Sequence, residues 1–115
     1  MLPKQNRLPL RTELKRLKKE GRLFQGKLFG LLVGRSHPLG EPSRFAFIIS
    51  TKIHKRAVKR NRAKRLLSEA IKDLLPQIKS GFDVVFLAKK NLIEANLWQI
   101  KKEISLLFRK TYLLS

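Results

Sequence analysis

The sequence predicts an α+β fold: a two-layer α/β sandwich with helices on a small sheet, in the order helix, strand, strand, helix, strand, helix. Three observations carry this. Short aromatic and β-branched apolar runs recur at KLFGLLV, RFAFIIS and FDVVFLAKK, the composition of half-buried strands. Elsewhere the apolar spacing changes to i, i+3, i+4, i+7, at Ala63, Leu66, Leu67, Ala70, Ile71 and Leu74 and again at Ile93, Leu97, Ile100, Ile104, Leu107 and Phe108, the stripe of a helix packed on one face. A 43% hydrophobic content over 115 residues suffices for one modest core, so residues 1–115 form a single domain.

The elements follow in order. Residues 1–11, with Pro3 and Pro9 among several basic residues, read as an irregular basic arm whose order the sequence leaves open. Thr12 is placed to cap a short helix, TELKRLKKE, which Gly21 closes and to which Leu14 and Leu17 give a small apolar face. Lys27–Val33 is the first expected strand. The loop RSHPLGEPS, with its prolines and glycine, turns the chain, and Arg44–Ser50 is expected to return as the hairpin partner of the first strand. A basic helix then runs from about His54 to Leu75, where Pro76 ends it. Gly81 precedes the third and most apolar strand. Asn91, three residues before Glu94, fits a capping-box variant ahead of the last helix.

Charge narrows the function. Lys and Arg number 27 against 8 Asp and Glu, a net charge of +19. Self-repulsion on this scale opposes compaction and points to a polyanionic partner, nucleic acid first and an anionic membrane second. The charge concentrates in Lys52–Arg65, KIHKRAVKRNRAKR, where eight of fourteen residues are basic and none is acidic. This segment opens the amphipathic helix. At about 100° per residue, Arg56, Lys59 and Arg60 project near the face of the apolar stripe, two turns upstream of it. One face therefore changes along its length from polyanion-binding to core-forming.

A protein-based active site is hard to build here. The acids Glu13, Glu20, Glu41, Glu69, Asp73, Asp83, Glu94 and Glu103 are scattered, and His37 and His54 have no carboxylate beside them in sequence. That inventory offers neither a triad nor a metal site. The absence of cysteine excludes disulfides, Cys-ligated zinc and thiol nucleophiles. No G-x-x-x-x-G-K loop occurs. Trp98, off the last helix's apolar stripe, reads as a partly exposed packing residue ahead of a base-stacking platform. MLPKQNRLPLR lacks the apolar run of a signal peptide and no stretch approaches a membrane span, so a soluble cytoplasmic protein is expected.

At Arg60-Asn61-Arg62, followed by Ala63-Lys64-Arg65-Leu66, the chain resembles the protein component of bacterial ribonuclease P, which carries an R-N-R-x-K-R-L signature on a helix after a strand. FAFIISTK and DVVFLAKK resemble the flanking family strands, and LWQIKKEISLLFRK resembles its last helix. The likeness covers about Arg7 to Lys110. It implies a subunit bound to a large catalytic RNA that removes the 5′ leader from precursor tRNA by Mg²⁺-dependent hydrolysis. The Mg²⁺ is held mainly by RNA and none by the protein alone, and no membrane or further protein partner is required. It also implies a left-handed crossover joining parallel strands around the signature helix, against the usual handedness.

The RNA-binding residues that the resemblance implies are Lys52, Lys55, Arg56, Lys59, Arg60, Asn61, Arg62, Lys64 and Arg65, with the arginines suited to bidentate phosphate contact. A leader-binding cleft is implied between the sheet and the N-terminal helix, with Lys89 and Lys90 at its basic edge. Where the family usually places aromatic residues on the first helix, this chain has Leu14 and Lys18, and Leu32 takes an aromatic position of the first strand. Leader stacking would then fall to Phe29, Phe45 or Phe47, each of which reads equally as a residue of the core. A Gly-Asn pair common before the helix is Lys55-Arg56 here. A ribosomal or other structural RNA-binding protein would share the charge and size, but has no reason to carry this motif between these strands. A stand-alone nuclease would need the acidic or histidine cluster that is missing.

Overall fold

A computed structural model of the chain describes residues 2–36, 40–111 and 113; His37 lies outside them. The α+β class stands, with one more strand than the sequence reading. The elements are α1 (Leu10–Glu20), β1 (Arg22–Gln25), β2 (Phe29–Arg35), β3 (Arg44–Ile48), α2 (Ala57–Leu74), β4 (Phe82–Ala88) and α3 (Leu97–Lys110). Short 3₁₀ turns at Lys4–Asn6, Leu75–Gln77 and Lys90–Glu94 join them.

The sheet order is β1-β2-β4-β3. β2 pairs antiparallel with β1 and β4, and β3 pairs parallel with β4. The hairpin expected between β2 and β3 is therefore corrected: β4 lies between them, and the hairpin partner of β2 is the unforeseen β1. The physical reason is burial. β4 is apolar at nearly every position, which suits a central strand covered on both faces. β3 and β4 are joined through α2, the crossover that parallel neighbours require.

The alternation of side chains along the strands sends them to two separate cores. Phe29, Leu31, Val33, Phe45, Val84 and Phe86 face α2 and α3, where they meet Ala63, Leu67, Ile71, Ile100, Ile104 and Phe108. Leu32, Ala46 and Val85 face the other way, against Leu8, Leu17 and the half-buried Leu10 and Leu14. The sheet and the α2–α3 layer make the sandwich, and α1 covers part of the opposite face.

Several element ends shift. α1 begins at Leu10 after Pro9, and Thr12 is inside it, its Oγ1 donating to the Pro9 carbonyl at 3.3 Å. The capping box of α3 is Asn96 with Gln99, both bonds 2.9 Å, and not Asn91 with Glu94. Ile93 is accordingly buried in the preceding 3₁₀ turn. α2 starts at Ala57, later than His54. Gly81, at φ +91°, makes the left-handed turn into β4 that a side chain would disfavour. The N-terminal arm is anchored: Leu2 and Leu8 are buried, Asn6 Nδ2 donates to the Ser43 carbonyl at 2.7 Å, and Arg7 bridges Phe45 on the free edge of β3.

Candidate nucleic-acid interface

The basic segment is a turn followed by the first helical turns of α2. Lys52, Lys55, Arg56, Asn61, Lys64 and Arg65 are exposed, and Lys59, Arg60 and Arg62 are half-buried. Apolar anchoring by Ala63, Leu67, Ala70 and Ile71 fixes which side of the helix reaches solvent. Two of the arginines also hold structure. Arg60 Nη1 donates to the carbonyls of His54 at 2.8 Å and Lys55 at 2.7 Å, which ties the turn to the helix. Arg62 Nη1 donates to the Ile93 carbonyl at 3.2 Å, which ties α2 to the segment before α3. His54 Nδ1 accepts from the Arg56 N–H at 3.1 Å, so this histidine shapes the helix start. The first turn of α2 contains no acidic residue, leaving its N–H groups and positive dipole end uncompensated. Asn61, Lys64 and Arg65 line an open groove with Ser68, Glu69 and Lys72 along the outer face.

The leader-cleft residues separate. Phe29 and Phe45 are 0% and 2% exposed in the α2–α3 core, and half-buried Phe47 packs beside them, 5.4 Å from the Phe86 ring. All three point away from α1, so none of them lines the cleft between α1 and the sheet. Strand alternation is the reason: on the α1 side the floor is Leu32, Ala46, Ile48, Val85 and Leu87. Gly30 belongs to the same face by register with Leu87. Half-buried Leu14 packs on that floor, while Lys18, on the next turn of α1, is exposed. Lys90 is exposed, and Lys89 donates from Nζ to the Gly26 carbonyl, which fixes its ammonium at the β1–β2 turn. Ile48 and Leu87 were missed. Their signal was strand parity, Ile48 with Ala46 and Leu87 with Val85.

A charged cluster, also missed, clamps α1 to the sheet. Asp83 is buried and accepts from Arg44 Nε and Nη2, both at 2.9 Å, and from Arg16 Nη2. Glu13 accepts from Arg16 at 2.8 Å and from Arg44 at 3.3 Å. Two cations and two anions make the cluster neutral. The hydrogen bond from Arg16 holds the Glu13 carboxyl below its ordinary 4.5, against the opposing effect of burial. For Arg44 the bond to Asp83 raises the pKa; for Arg16 burial acts against the charge but Glu13 and Asp83 outweigh it. This is structural pairing without a free acid or base. Among the described residues no group of three His, Asp or Glu could hold a metal ion, and the cationic donors of the interface do not fit one. No helix among them is long and apolar enough to cross a membrane.

Fold and surface together define a small α+β protein with a strongly basic helix start. The Ribonuclease P family matches residues 2–112. The ribonuclease P protein component of Synechococcus sp. (strain JA-2-3B'a(2-13)) is 34% identical over 119 residues, spanning 99% of this chain and 87% of that protein. That of Microcystis aeruginosa is 33% identical over 111 residues, spanning 95% and 92%. The solved RNase P protein of Thermotoga maritima superposes with a TM-score of 0.80 at 27% identity, covering 90% of this chain and 96% of the other. The Staphylococcus aureus RNase P protein, at 20% identity and a TM-score of 0.84 over 97% of this chain, shares the fold. The chain belongs to the ribonuclease P protein component family. It is a component of that tRNA-processing ribonucleoprotein, whose partner is the RNA subunit.

Proposed function

We propose that the chain binds the catalytic RNA of ribonuclease P through Lys52–Arg65 and holds the precursor tRNA 5′ leader on the α1 side of the sheet. The observation that carries this is the undiluted cationic segment at the start of α2, fixed in place by the backbone bonds of Arg60 and Arg62. Lys64 and Arg65 supply exposed phosphate contacts, and Asn61 between the arginines both donates and accepts. The leader runs over Leu14, Lys18, Ile48 and Leu87 toward Lys89 and Lys90. With no aromatic side chain on this face among the described residues, it is held by phosphate and apolar contact in place of stacking.

The RNA performs the hydrolysis and holds the Mg²⁺. The protein raises affinity for substrate and for Mg²⁺ by screening phosphate repulsion, in the cytoplasm and without another protein. The test mixes the purified chain with precursor tRNA at low Mg²⁺, with and without catalytic RNA. Cleavage at the 5′ leader junction is expected only when both are present. Cleavage by the chain alone, or no effect of the chain on the RNA, would overturn the reading.

A further inference from the structure

The most exposed aromatic side chain among the described residues is left over by this account. Trp98 is 68% exposed and Leu106, two turns on along α3, is 51% exposed. With Lys102 between them they form an i, i+4, i+8 stripe on one side of the helix. The other sides are committed: Ile100, Ile104, Leu107 and Phe108 are buried, and Lys101 pairs with Asp73 of α2 at 2.6 Å. The stripe borders a depression whose far wall is Lys27 and Leu28 of the β1–β2 turn. That turn is fixed, because the Leu28 N–H donates to Glu103 Oε2.

Lys102 Nζ sits 5.1 Å from the Trp98 ring centroid, a cation–π contact that steadies the indole and covers one face of it. Even with that contact, Trp98 remains 68% exposed. The one carboxylate at the site, Glu103, is engaged by the turn. Neither Lys27 nor Lys102 has a carboxylate partner among the described residues. An apolar protein surface docking here would bury two ammonium groups without counter-charge. A second copy of the chain would bring another +19 against them. A single-stranded polyanion with planar bases matches both halves of the site.

We propose that the Trp98 side of α3 is a second RNA contact, in which one unpaired nucleobase stacks on the indole while its flanking phosphates meet Lys27 and Lys102. It rests on the reading that the chain works on RNA, but it uses the flank of α3 away from α2, and so takes a different stretch of RNA.

Trp98 is the only tryptophan, so its emission reports the contact directly. The full chain is titrated with a twelve-nucleotide oligoadenylate and with an RNA duplex of equal length. Quenching is expected with the single strand and much less with the duplex. Trp98→Ala should weaken single-strand binding roughly tenfold and Trp98→Phe should restore most of it. Arg65→Ala should weaken binding yet leave the quench at saturation intact. Equal single-strand affinity for wild type and Trp98→Ala, or emission unchanged at saturation, would overturn the proposal. So would a dimer, seen by sedimentation, that Trp98→Ala dissociates, since the stripe would then join copies of the chain. If the chain bound neither RNA, the RNA-binding reading itself would fail, a result distinct from intact binding that ignores Trp98.

Discussion

Arg60 and Arg65 share a helix but differ in what truncation removes. Arg65 is exposed and its side chain makes no hydrogen bond or ion pair among the described residues, so Arg65→Ala should lower affinity for the catalytic RNA roughly tenfold or more, as losing a charged hydrogen bond does, with thermal stability unchanged. Arg60 also ties down the carbonyls of His54 and Lys55. Arg60→Ala should therefore lose affinity and also loosen the turn, seen as faster amide exchange at residues 54–56. Lys101→Ala, which removes a surface pair with Asp73, should affect RNA binding little. Equal losses at Arg65 and Lys101 in filter binding would mean that only bulk charge matters. The charged clamp under α1 makes a separate residue-scale case. Asp83→Ala strands two arginines beside a buried site and should destabilise by about 3 kcal/mol in denaturant unfolding. Glu13 has a folded pKa below 4.5, so its contribution is complete above that value and lost as pH falls through the folded one. Melting temperatures of wild type and Glu13→Gln should thus differ at pH 7 and draw together as the pH falls below 4.5.

At the scale of elements, the helices and three strands were legible because their periods are clean, although α3 begins five residues beyond the start that Asn91 would have capped. The capping box was legible in kind but misplaced: Asn96 and Gln99 use the same geometry as Asn91 and Glu94 would, and only the backbone decides between them. Asn96→Ala should cost about 1 kcal/mol, while Asn91→Ala should cost nothing measurable; chemical denaturation of the two variants separates them. β1 was missed because Arg22-Leu23-Phe24-Gln25 is short and half-polar, and it is a strand only because β2 offers a free edge. The sequence left Phe29, Phe45 and Phe47 between the leader cleft and the core, because composition marks a residue as apolar without saying which side of a strand it takes, and they belong to the core. Register settles it, pairing Phe45 with Val84, Phe47 with Phe86 and Phe29 with Ala88. Packing of α1 on the sheet rests on close approach: a Cβ on Gly34 would lie 2.5 Å from Leu17 Cδ2. Gly34→Val should therefore push α1 outward, lowering stability and disturbing the leader face together.

For the whole molecule, a net charge of +19 makes association with RNA a matter of counterion release. The logarithm of the affinity for catalytic RNA should fall linearly and steeply with the logarithm of salt concentration, and Arg65→Ala should make that slope shallower. An affinity that hardly changes between low and moderate salt would contradict the electrostatic account. The charge and the signature at Arg60–Arg62 made the partner readable from the sequence. The proposed division of the surface into an α2 contact, an α1-side trough and the Trp98 flank of α3 was not, because it depends on which elements pack on which face. The central claim is that the protein holds the leader as well as the catalytic RNA. The most direct measurement is the affinity of the RNA for precursor tRNA, with and without the protein, using a long leader and a leader of one nucleotide. The account predicts that the protein's gain in affinity is large with the long leader and mostly lost with the short one. An undiminished gain with the short leader would show that the protein acts through the catalytic RNA alone, and the trough of Leu14, Lys18, Ile48, Leu87, Lys89 and Lys90 would have no part in it.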